Sequence, residues 1–191
     1  MKLLSRWIST IYSRYQHRVI RKTKAQLRSC GFSVELAADG RYQNPENIRI
    51  GNYVYFGSGA QLFARGGISI GSNVVIGPNL TIHTSNHNYD SERMLPFDDV
   101  SFLEPVSIGS NVWIGANVSI CPGVSIGEGC VIGMGSVVSA NIPSLAIAAG
   151  NPARVIRSRD EKRYLELKQS NSLFLPLKQQ GKTRTHFAQR Q

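Results

Sequence analysis

The side chains best suited to chemistry lie in one polar segment, residues 83–105. This segment holds two of the four histidines of the 191-residue chain, His83 and His87, together with several amide, hydroxyl and charged side chains. Because the pKa of imidazole lies near neutral pH, a histidine in such a segment can accept or deliver a proton. We therefore expect the functional site to include residues 83–105.

A column of apolar residues predicts the elements that hold this segment. Successive members are six residues apart, except for eight residues between Leu62 and Ile70 and 26 between Ile82 and Ile108. The column consists of Ile50, Phe56, Leu62, Ile70, Ile76, Ile82, Ile108, Ile114, Ile120, Ile126, Ile132 and Val138. Neither a helix nor an alternating strand has a period of six, whereas a β-helix does, because each short strand occupies one flat face of a coil.

The residues that follow this column show that the full repeat is 18 residues. Glycine follows two of every three members, and every third position carries another residue, as at Phe63, His83, Cys121 and Ser139. This pattern predicts a triangular coil with two tight glycine corners. We expect an all-β solenoid of about four to five such coils.

Two insertions interrupt the repeat, one of two residues and one of twenty. Both follow a strand of the third face, so they leave the same corner of the triangle one coil apart. A long insertion into a compact repeat is usually functional or disordered. The larger insertion is the segment 83–105, which supports its assignment to the site.

Residues 48–157 resemble the hexapeptide-repeat acyltransferases. The matching stretches are Ile-Gly-Pro-Asn (76–79), Thr-Ser-Asn-His-Asn-Tyr (84–89), Ile-Gly-Ser-Asn-Val-Trp-Ile-Gly-Ala-Asn (108–117), Pro-Gly-Val-Ser-Ile-Gly (122–127) and Gly-Asn-Pro-Ala-Arg-Val-Ile-Arg (150–157). Within the family, the chain is similar to sugar O-acetyltransferases of the maltose, galactoside and polysaccharide-modifying types. The resemblance implies a left-handed parallel β-helix, an exception to the right-handed crossover rule. It also implies acetyl-CoA as co-substrate and a homotrimer whose sites lie between subunits.

The resemblance assigns the general base to His87, which would take a proton from an acceptor hydroxyl as the new C–O bond forms. His83 occupies a corner of the coil and is expected to have a structural role. Asn86, Tyr89 and Arg93, in the same segment as His87, are the candidate residues for binding a carbohydrate acceptor.

The resemblance also implies a binding site for coenzyme A. Arg154 and Arg157 match arginines that contact its phosphates, although charged residues on a terminal strand can simply be solvated. Three residues match positions that line the groove for the pantetheine arm: Ala116, Met134 and Ser139. Trp113 matches a tryptophan at that groove, and packing against a neighbouring subunit is its alternative role.

The chain departs from the family pattern in two places. Where the sugar acetyltransferases usually read Thr-Lys-Asp-Ile-Pro, this chain has Ser-Ala-Asn-Ile-Pro at 139–143, and the lost lysine predicts modestly weaker binding of coenzyme A. Gly57 stands where the galactoside enzymes have an acceptor-contacting asparagine. A simple disaccharide is therefore a doubtful acceptor, and a surface polysaccharide or its lipid-linked precursor is the expected one.

The net charge of +10 is concentrated at the two ends of the chain. Residues 1–28 hold eight Lys or Arg and no acid, whereas residues 29–157 have a net charge of −3 and residues 158–191 one of +5. A basic groove for nucleic acid is not expected from a mildly acidic β-helix. We divide the chain into an N-terminal extension (1–47), the β-helix (48–157) and a C-terminal helix with a mobile basic tail (158–191).

The start of the chain predicts an amphipathic helix with its apolar residues on one stripe. The stripe consists of Leu4, Trp7, Ile8, Ile11, Tyr15 and Val19, and arginines flank it. Two roles remain open and are compatible: capping the lower edge of the β-helix, or lying on an anionic membrane surface through residues 1–28. The helix is too interrupted by charge to be a signal peptide or a membrane span.

The three cysteines show no metal or disulfide spacing, so we expect a cytoplasmic protein with no metal, peripheral on the inner membrane surface if the helix binds lipid. Trimeric carbonic anhydrases share the β-helix but need three zinc-binding histidines, and only His83 and His87 lie within it. A xenobiotic acetyltransferase and a non-catalytic hexapeptide subunit remain alternatives.

Overall fold

The computed structural model describes residues 2–186, without the side chains of residues 2–6, 8, 9 and 12. Its short strands form three sheets, parallel except for one antiparallel pair at the upper end of one sheet, which are the faces of a triangular β-helix and are called faces A, B and C here. The predicted solenoid of triangular coils is confirmed.

The strands follow one another around the triangle in the order A, B, C. Face A contains β1 (Ser29–Cys30), β4 (Ile48–Ile50), β7 (Ile68–Ile70), β12 (Val106–Ile108) and β15 (Ser125–Ile126). Face B contains β2 (Val34–Glu35), β5 (Val54–Phe56), β8 (Val74–Ile76), β13 (Trp113–Ile114), β16 (Val131–Ile132), β18 (Ala146–Gly150) and β19 (Ala153–Ser158). Face C contains β3 (Arg41–Gln43), β6 (Gln61–Phe63), β9 (Thr81–His83), β14 (Ser119–Ile120) and β17 (Val137–Val138). A short 3-10 turn, Pro45–Asn47, joins the first two coils.

The β-helix begins one coil before residue 48, its predicted start. Residues 29–43 form a complete first coil, whose strands pair with the second at Cys30–Ile50, Val34–Val54 and Tyr42–Leu62. The predicted N-terminal extension therefore ends near residue 28 rather than 47. Five complete coils are followed by part of a sixth, in which Ile142 bridges to Ile126 and β18 pairs with β16. At the usual interstrand spacing this column is roughly 24 Å tall.

The core is the interior of the triangular prism. Residues of the six-residue column and those two positions earlier point inward, and Ile48, Leu62, Ile82 and Ile114 are fully buried. The glycine corners allow the coils to stack closely: a Cβ on Gly115 would lie 2.6 Å from the backbone nitrogen of Met134 in the next coil. A side chain there would push the coils apart.

Helix α1 (Lys2–Gln26) closes the lower end of the prism with its C-terminal part. Leu27, directly after the helix, is buried, and Ile20 packs against the core. Lys24 Nζ donates to the carbonyl oxygen of Val34 in the first coil. The capping role is therefore confirmed for this end of the helix, whereas the apolar positions Leu4 and Ile8 lie outside the described side chains. None of the described helices is long and apolar enough to cross a membrane.

The C-terminal extension lies against face B and is named the strap (residues 159–180). It contains α2 (Glu161–Gln169), which Asp160 caps by accepting from the N–H of Arg163, and α3 (Phe174–Gln179). The strap runs down the β-helix from an upper coil to the first coil. At its upper end Lys168 of the strap pairs with Glu128 of the β-helix at 2.7 Å. At its lower end the hydroxyl of Ser33 in the first coil donates to Gln179 Oε1 of the strap at 2.9 Å. The predicted C-terminal helix is present, and residues 187–191 of the predicted mobile tail lie outside the described residues.

Candidate active site

The long insertion forms an antiparallel pair of strands that projects from the corner between faces C and A. Strand β10 (Ser85–His87) pairs with β11 (Ser101–Leu103), and His87 lies opposite Ser101. We call residues 84–104 the arm. The insertion that the sequence assigns to the functional site is therefore an ordered hairpin.

Thr84 fixes the base of the arm to the smaller insertion. Its side chain is fully buried, accepts from the N–H of Gly66 at 2.8 Å and donates to the carbonyl oxygen of Phe63 at 2.8 Å. The N–H of Glu104 closes the base by donating to the carbonyl oxygen of Thr84 at 2.9 Å. The two insertions therefore contact each other at one corner, as their positions in the repeat predict.

His87 ends the first strand of the arm, with an exposed side chain. Its ring stacks on the ring of Phe97, with centroids 3.9 Å apart and planes inclined by 17°. Within residues 2–186, neither ring nitrogen makes a hydrogen bond, and the bond at this residue runs from its backbone N–H to Asn86 Oδ1 at 2.9 Å. The imidazole is thus oriented by stacking while its nitrogens stay accessible for proton transfer.

The tip of the arm is organised around the carboxylate of Asp98. This buried side chain accepts from the N–H of Val100 at 2.8 Å, from Asn88 Nδ2 at 2.8 Å and from Arg93 Nη2 at 3.3 Å. These donors, the Val100 N–H first among them, lower the pKa of Asp98 to about 2. Because Phe97 directly precedes Asp98, this network also places the ring on which His87 stacks.

The three candidate acceptor-binding residues have different surroundings. Asn86 is exposed but uses its carbonyl oxygen on the N–H of His87, and the side chain of Tyr89 is 73% exposed beside it. Arg93 contacts two carboxylates, those of Asp98 at 3.3 Å and Asp99 at 2.6 Å, so it has a structural role within the arm. Their binding of an acceptor stays a prediction.

Two of the residues predicted to line the coenzyme A groove share the corner between faces B and C. A Cβ on Gly77 would lie 2.7 Å from the backbone nitrogen of Ala116 in the next coil, and a Cβ on Gly115 would lie 2.6 Å from that of Met134. Because Ala116 directly follows Gly115, Met134 lies one coil above Ala116. The side chain of Met134 is 74% exposed. Ala116 and Met134 therefore line one continuous edge of the prism.

The two predicted phosphate-binding arginines lie above this edge, on the last strand of face B. Arg154 pairs with Ala149, which stacks on the Gly133 corner, and Arg157 pairs with Ile147 farther along the strand. Both arginines are exposed. The chain thus aligns Ala116, Met134 and Arg154 at one end of face B.

Ser139 and Trp113 lie away from that edge. Strand pairing stacks His83, Cys121 and Ser139 on the corner between faces C and A, from which the arm leaves. Trp113 is 57% exposed on face B, in a groove of about 380 Å³ that Tyr164 and Phe174 of the strap also line. Their predicted contacts with coenzyme A stay predictions.

A polar network holds the strap over this groove. Tyr164 donates to Glu128 Oε1 at 2.7 Å and accepts from Asn111 Nδ2 at 2.9 Å. Desolvation and the Glu128 carboxylate raise the pKa of Tyr164 to about 12, so its hydroxyl stays a donor at neutral pH. Lys168 lowers the pKa of Glu128, which stays a carboxylate.

A single subunit does not bring all the predicted site residues together. His87 leaves one corner of the triangle, Ala116 and Met134 line another, and face C separates them by roughly 10 Å, the length of a three-residue strand. No three His, Cys, Asp or Glu side chains within residues 2–186 are grouped closely enough to share a metal ion.

Sequence reasoning missed Phe97 and Asp98, although both lie in the segment it selected. The available signal was an aromatic residue and a carboxylate side by side, ten residues after a run of amides and His87. Nothing in that spacing shows that the chain folds back, because the pairing of β10 with β11 depends on contacts across the arm.

Comparison with known proteins matches both halves of the repeat region. Residues 105–140 match the family model "Bacterial transferase hexapeptide (six repeats)", and residues 47–83 match "Hexapeptide repeat of succinyl-transferase". A putative acetyltransferase of Saccharomyces cerevisiae is 47% identical over 116 residues, which are 61% of this chain and 58% of that protein. The chain thus spans somewhat more than half the length of that relative.

Two solved structures carry the same fold. The structure of galactoside acetyltransferase in complex with coenzyme A has a TM-score of 0.67 and 33% identity, over 74% of this chain and 70% of that one. The structure of a hexapeptide-repeat acetyltransferase of Vibrio cholerae, complexed with acetyl-CoA, has a TM-score of 0.69 and 26% identity, over 78% of this chain and 85% of that one. The chain belongs to the hexapeptide-repeat transferase family, and its solenoid is the left-handed parallel β-helix of that family.

The Asp98 network predicts how the arm responds to mutation. Asp98→Asn removes a buried acceptor and leaves Val100, Asn88 and Arg93 with poorer partners, so the arm should open more often. Hydrogen exchange of peptides covering residues 88–100 should become faster at neutral pH. The matched change Asp99→Asn removes one exposed ion pair and should have little effect. Equal exchange in the two variants would contradict this role of Asp98.

The same network fixes the direction of the pH dependence. A carboxyl whose pKa is lower in the folded arm contributes stability above its ordinary pKa near 4. That contribution should be lost as the pH falls through about 2. The difference in arm stability between wild type and Asp98→Asn should therefore shrink over this acidic range.

Proposed function

We propose that this protein is an acetyl-CoA-dependent O-acetyltransferase that acts on a sugar hydroxyl, with His87 as the general base. The observation that carries the proposal is His87 itself, an exposed imidazole that Phe97 orients while its ring nitrogens keep no partner within the described part of the chain. The complexes of related transferases with coenzyme A and acetyl-CoA support the choice of co-substrate.

The proposed reaction is a direct acyl transfer. One ring nitrogen of His87 takes the proton of the acceptor hydroxyl as its oxygen attacks the thioester carbonyl. The tetrahedral intermediate then collapses, the C–S bond breaks, and the proton passes from His87 to the leaving thiolate of coenzyme A. The products are an O-acetyl ester and the free thiol, so protons and electrons balance without a metal or a redox partner.

The edge formed by Ala116 and Met134 is the proposed track for the pantetheine arm. Arg154 and Arg157, above that edge, supply two guanidinium groups for phosphates, which arginine binds with paired donors.

The acceptor is proposed to be a surface polysaccharide or its lipid-linked precursor. Gly57 lies two coils below Ala116 on the same corner, with Pro78 directly above it. Glycine has no side chain to hold a small sugar at this point. An acceptor bound here must therefore be recognised by other groups, and a larger carbohydrate offers more of them.

The arm also supports the proposed homotrimer. Its exposed apolar side chains include Tyr89, Leu95, Phe102 and Leu103, with Leu95 91% exposed. Patches of this kind mark interaction surfaces. A second copy offers Met134, whose side chain is 74% exposed on the proposed pantetheine track, as a matching surface. Packing the arm there would bring His87 of one subunit to the edge of the next.

Replacement of the base tests the assignment of His87. His87→Ala should lower kcat by roughly 100- to 10,000-fold, the usual contribution of a general base, while binding of acetyl-CoA is retained. Acetyl transfer from labelled acetyl-CoA to a panel of oligosaccharides and polysaccharides measures the first effect. His83→Ala is the matched control, because His83 stacks on Phe63 at the arm base with centroids 4.4 Å apart. If His83→Ala abolishes transfer and His87→Ala does not, the assignment is wrong.

Mixing two inactive variants tests whether each site is shared between subunits. Co-expressed His87→Ala and Arg154→Ala/Arg157→Ala chains should regain about a quarter of wild-type activity, because random assortment in a cyclic trimer restores that share of the sites. Variants that are expressed separately and then combined without subunit exchange serve as the control. No recovery in verified mixed trimers would place the complete site within one chain.

A further inference from the structure

Helix α1 presents two different faces. Its C-terminal part covers the β-helix through Ile20, and the neighbouring Val19, Thr23 and Lys24 are partly buried. Toward the N-terminus, Trp7, Ile11 and Tyr15 are 70%, 61% and 64% exposed. Because these three residues are four apart, they share one side of the helix. At 3.6 residues per turn that side lies roughly 140° from the covered face.

The exposed apolar stripe is surrounded by positive charge. Arg14, Arg18, Arg21 and Lys22 are exposed, and helical geometry places them on or beside the side that carries the stripe. Among the described residues, 2–186, the ion pairs all lie elsewhere, in the arm and between the strap and Glu128. Residues 1–28 contain no acid, so no carboxylate of the helix can neutralise these cations.

Charge decides which occupant fits this face. The same helix of a second copy would oppose seven positive charges with seven, and the C-terminal extension is also basic. The β-helix region, at a net charge of −3, offers a weak counterpart. An anionic bilayer surface satisfies both features, since it attracts lysine and arginine and accepts tryptophan and tyrosine at the depth of the headgroups.

We propose that the N-terminal part of α1 binds the protein to an anionic lipid surface, while the C-terminal part of the same helix remains the cap of the β-helix. Trp7, Ile11 and Tyr15 insert at the level of the headgroups, and Arg14, Arg18, Arg21 and Lys22 pair with lipid phosphates. The helix lies on the surface rather than crossing it, in keeping with its charge content. This inference does not depend on the proposed acetyl transfer.

Vesicle binding of the full-length protein tests the proposal. The protein should co-sediment with vesicles of phosphatidylcholine and phosphatidylglycerol, not with phosphatidylcholine alone, and salt should weaken the binding. In a Trp113→Phe background Trp7 is the remaining indole, and its emission should shift to shorter wavelength with the anionic vesicles. Equal binding to both vesicle types, or unshifted emission, would overturn the proposal.

Two sets of variants separate charge from apolar insertion. The quadruple change R14Q/R18Q/R21Q/K22Q should weaken vesicle partition by roughly 100- to 1,000-fold, at about 1 kcal/mol for each basic residue near the surface. The triple change W7S/I11S/Y15S should weaken vesicle partition as well, because it removes the apolar side chains that insert. The control K162Q/R163Q/L165S alters exposed residues of α2 and should bind as wild type.

Two other outcomes would show that a different partner occupies this face of α1. If W7S/I11S/Y15S leaves vesicle partition unchanged but alters the oligomeric mass, the stripe binds another copy and the proposal fails. The charge variant could weaken binding to anionic vesicles and to double-stranded DNA equally, while the apolar variant weakens neither. The face would then be a general polyanion site, and the proposal fails. Acetyl transfer to a soluble acceptor should be unchanged in every α1 variant, which separates a failure here from a failure of the proposed enzyme.

Discussion

Parallel hydrogen bonding between successive coils is the constraint on which the rest of the structure depends. Each strand pairs in register with the strand one coil above, so side chains distant in sequence repeat at one place on the prism every 4.8 Å or so. The buried columns hold this register, because a shift of one residue would turn Ile82 or Ile114 outward. Glycine corners such as Gly115 keep the coils close enough for these bonds to form.

The same constraint determines where chemistry can be placed. In a regular coil every residue belongs to a strand or to a tight corner. A segment that projects from the prism therefore requires extra residues inserted at a corner. The arm is such an insertion, and Thr84 joins it to the smaller insertion one coil below. His87 then owes its orientation to a local network of Phe97 and Asp98 rather than to the solenoid. Rigid coils and an independently braced arm together hold His87 at a fixed place on an open surface.

Much of the fold could be predicted because apolar residues and glycines recur at fixed spacings in the sequence. The first coil escaped notice since its column consists of Cys30, Leu36 and Tyr42, even though these residues are also six apart and Gly31 follows the first. Cysteine and tyrosine at positions otherwise held by aliphatic residues concealed the pattern. The strap could be predicted only as a helix, because its attachment depends on polar contacts such as Tyr164 with Glu128, 36 residues earlier in the chain.

The site was predicted less completely than the fold. His87, Ala116, Met134 and the two arginines were assigned from resemblance, and stacking explains why three of them align on one edge. The 18-residue repeat already separates Ser139, at the corner without glycine, from Ala116 and Met134, which follow glycine corners. No repeat rule shows that Arg93 contacts two carboxylates, because that depends on how an aperiodic segment folds.

Calorimetric titration with acetyl-CoA tests the central claim most directly, namely that the edge topped by Arg154 and Arg157 binds this co-substrate. The account predicts saturable binding by the wild-type protein and its loss in the Arg154→Ala/Arg157→Ala variant, with binding kept in Lys162→Ala/Arg163→Ala, which removes two exposed cations from α2. A folded wild-type protein that does not bind acetyl-CoA, even at millimolar concentration, would contradict the account and leave a hexapeptide subunit without transferase chemistry.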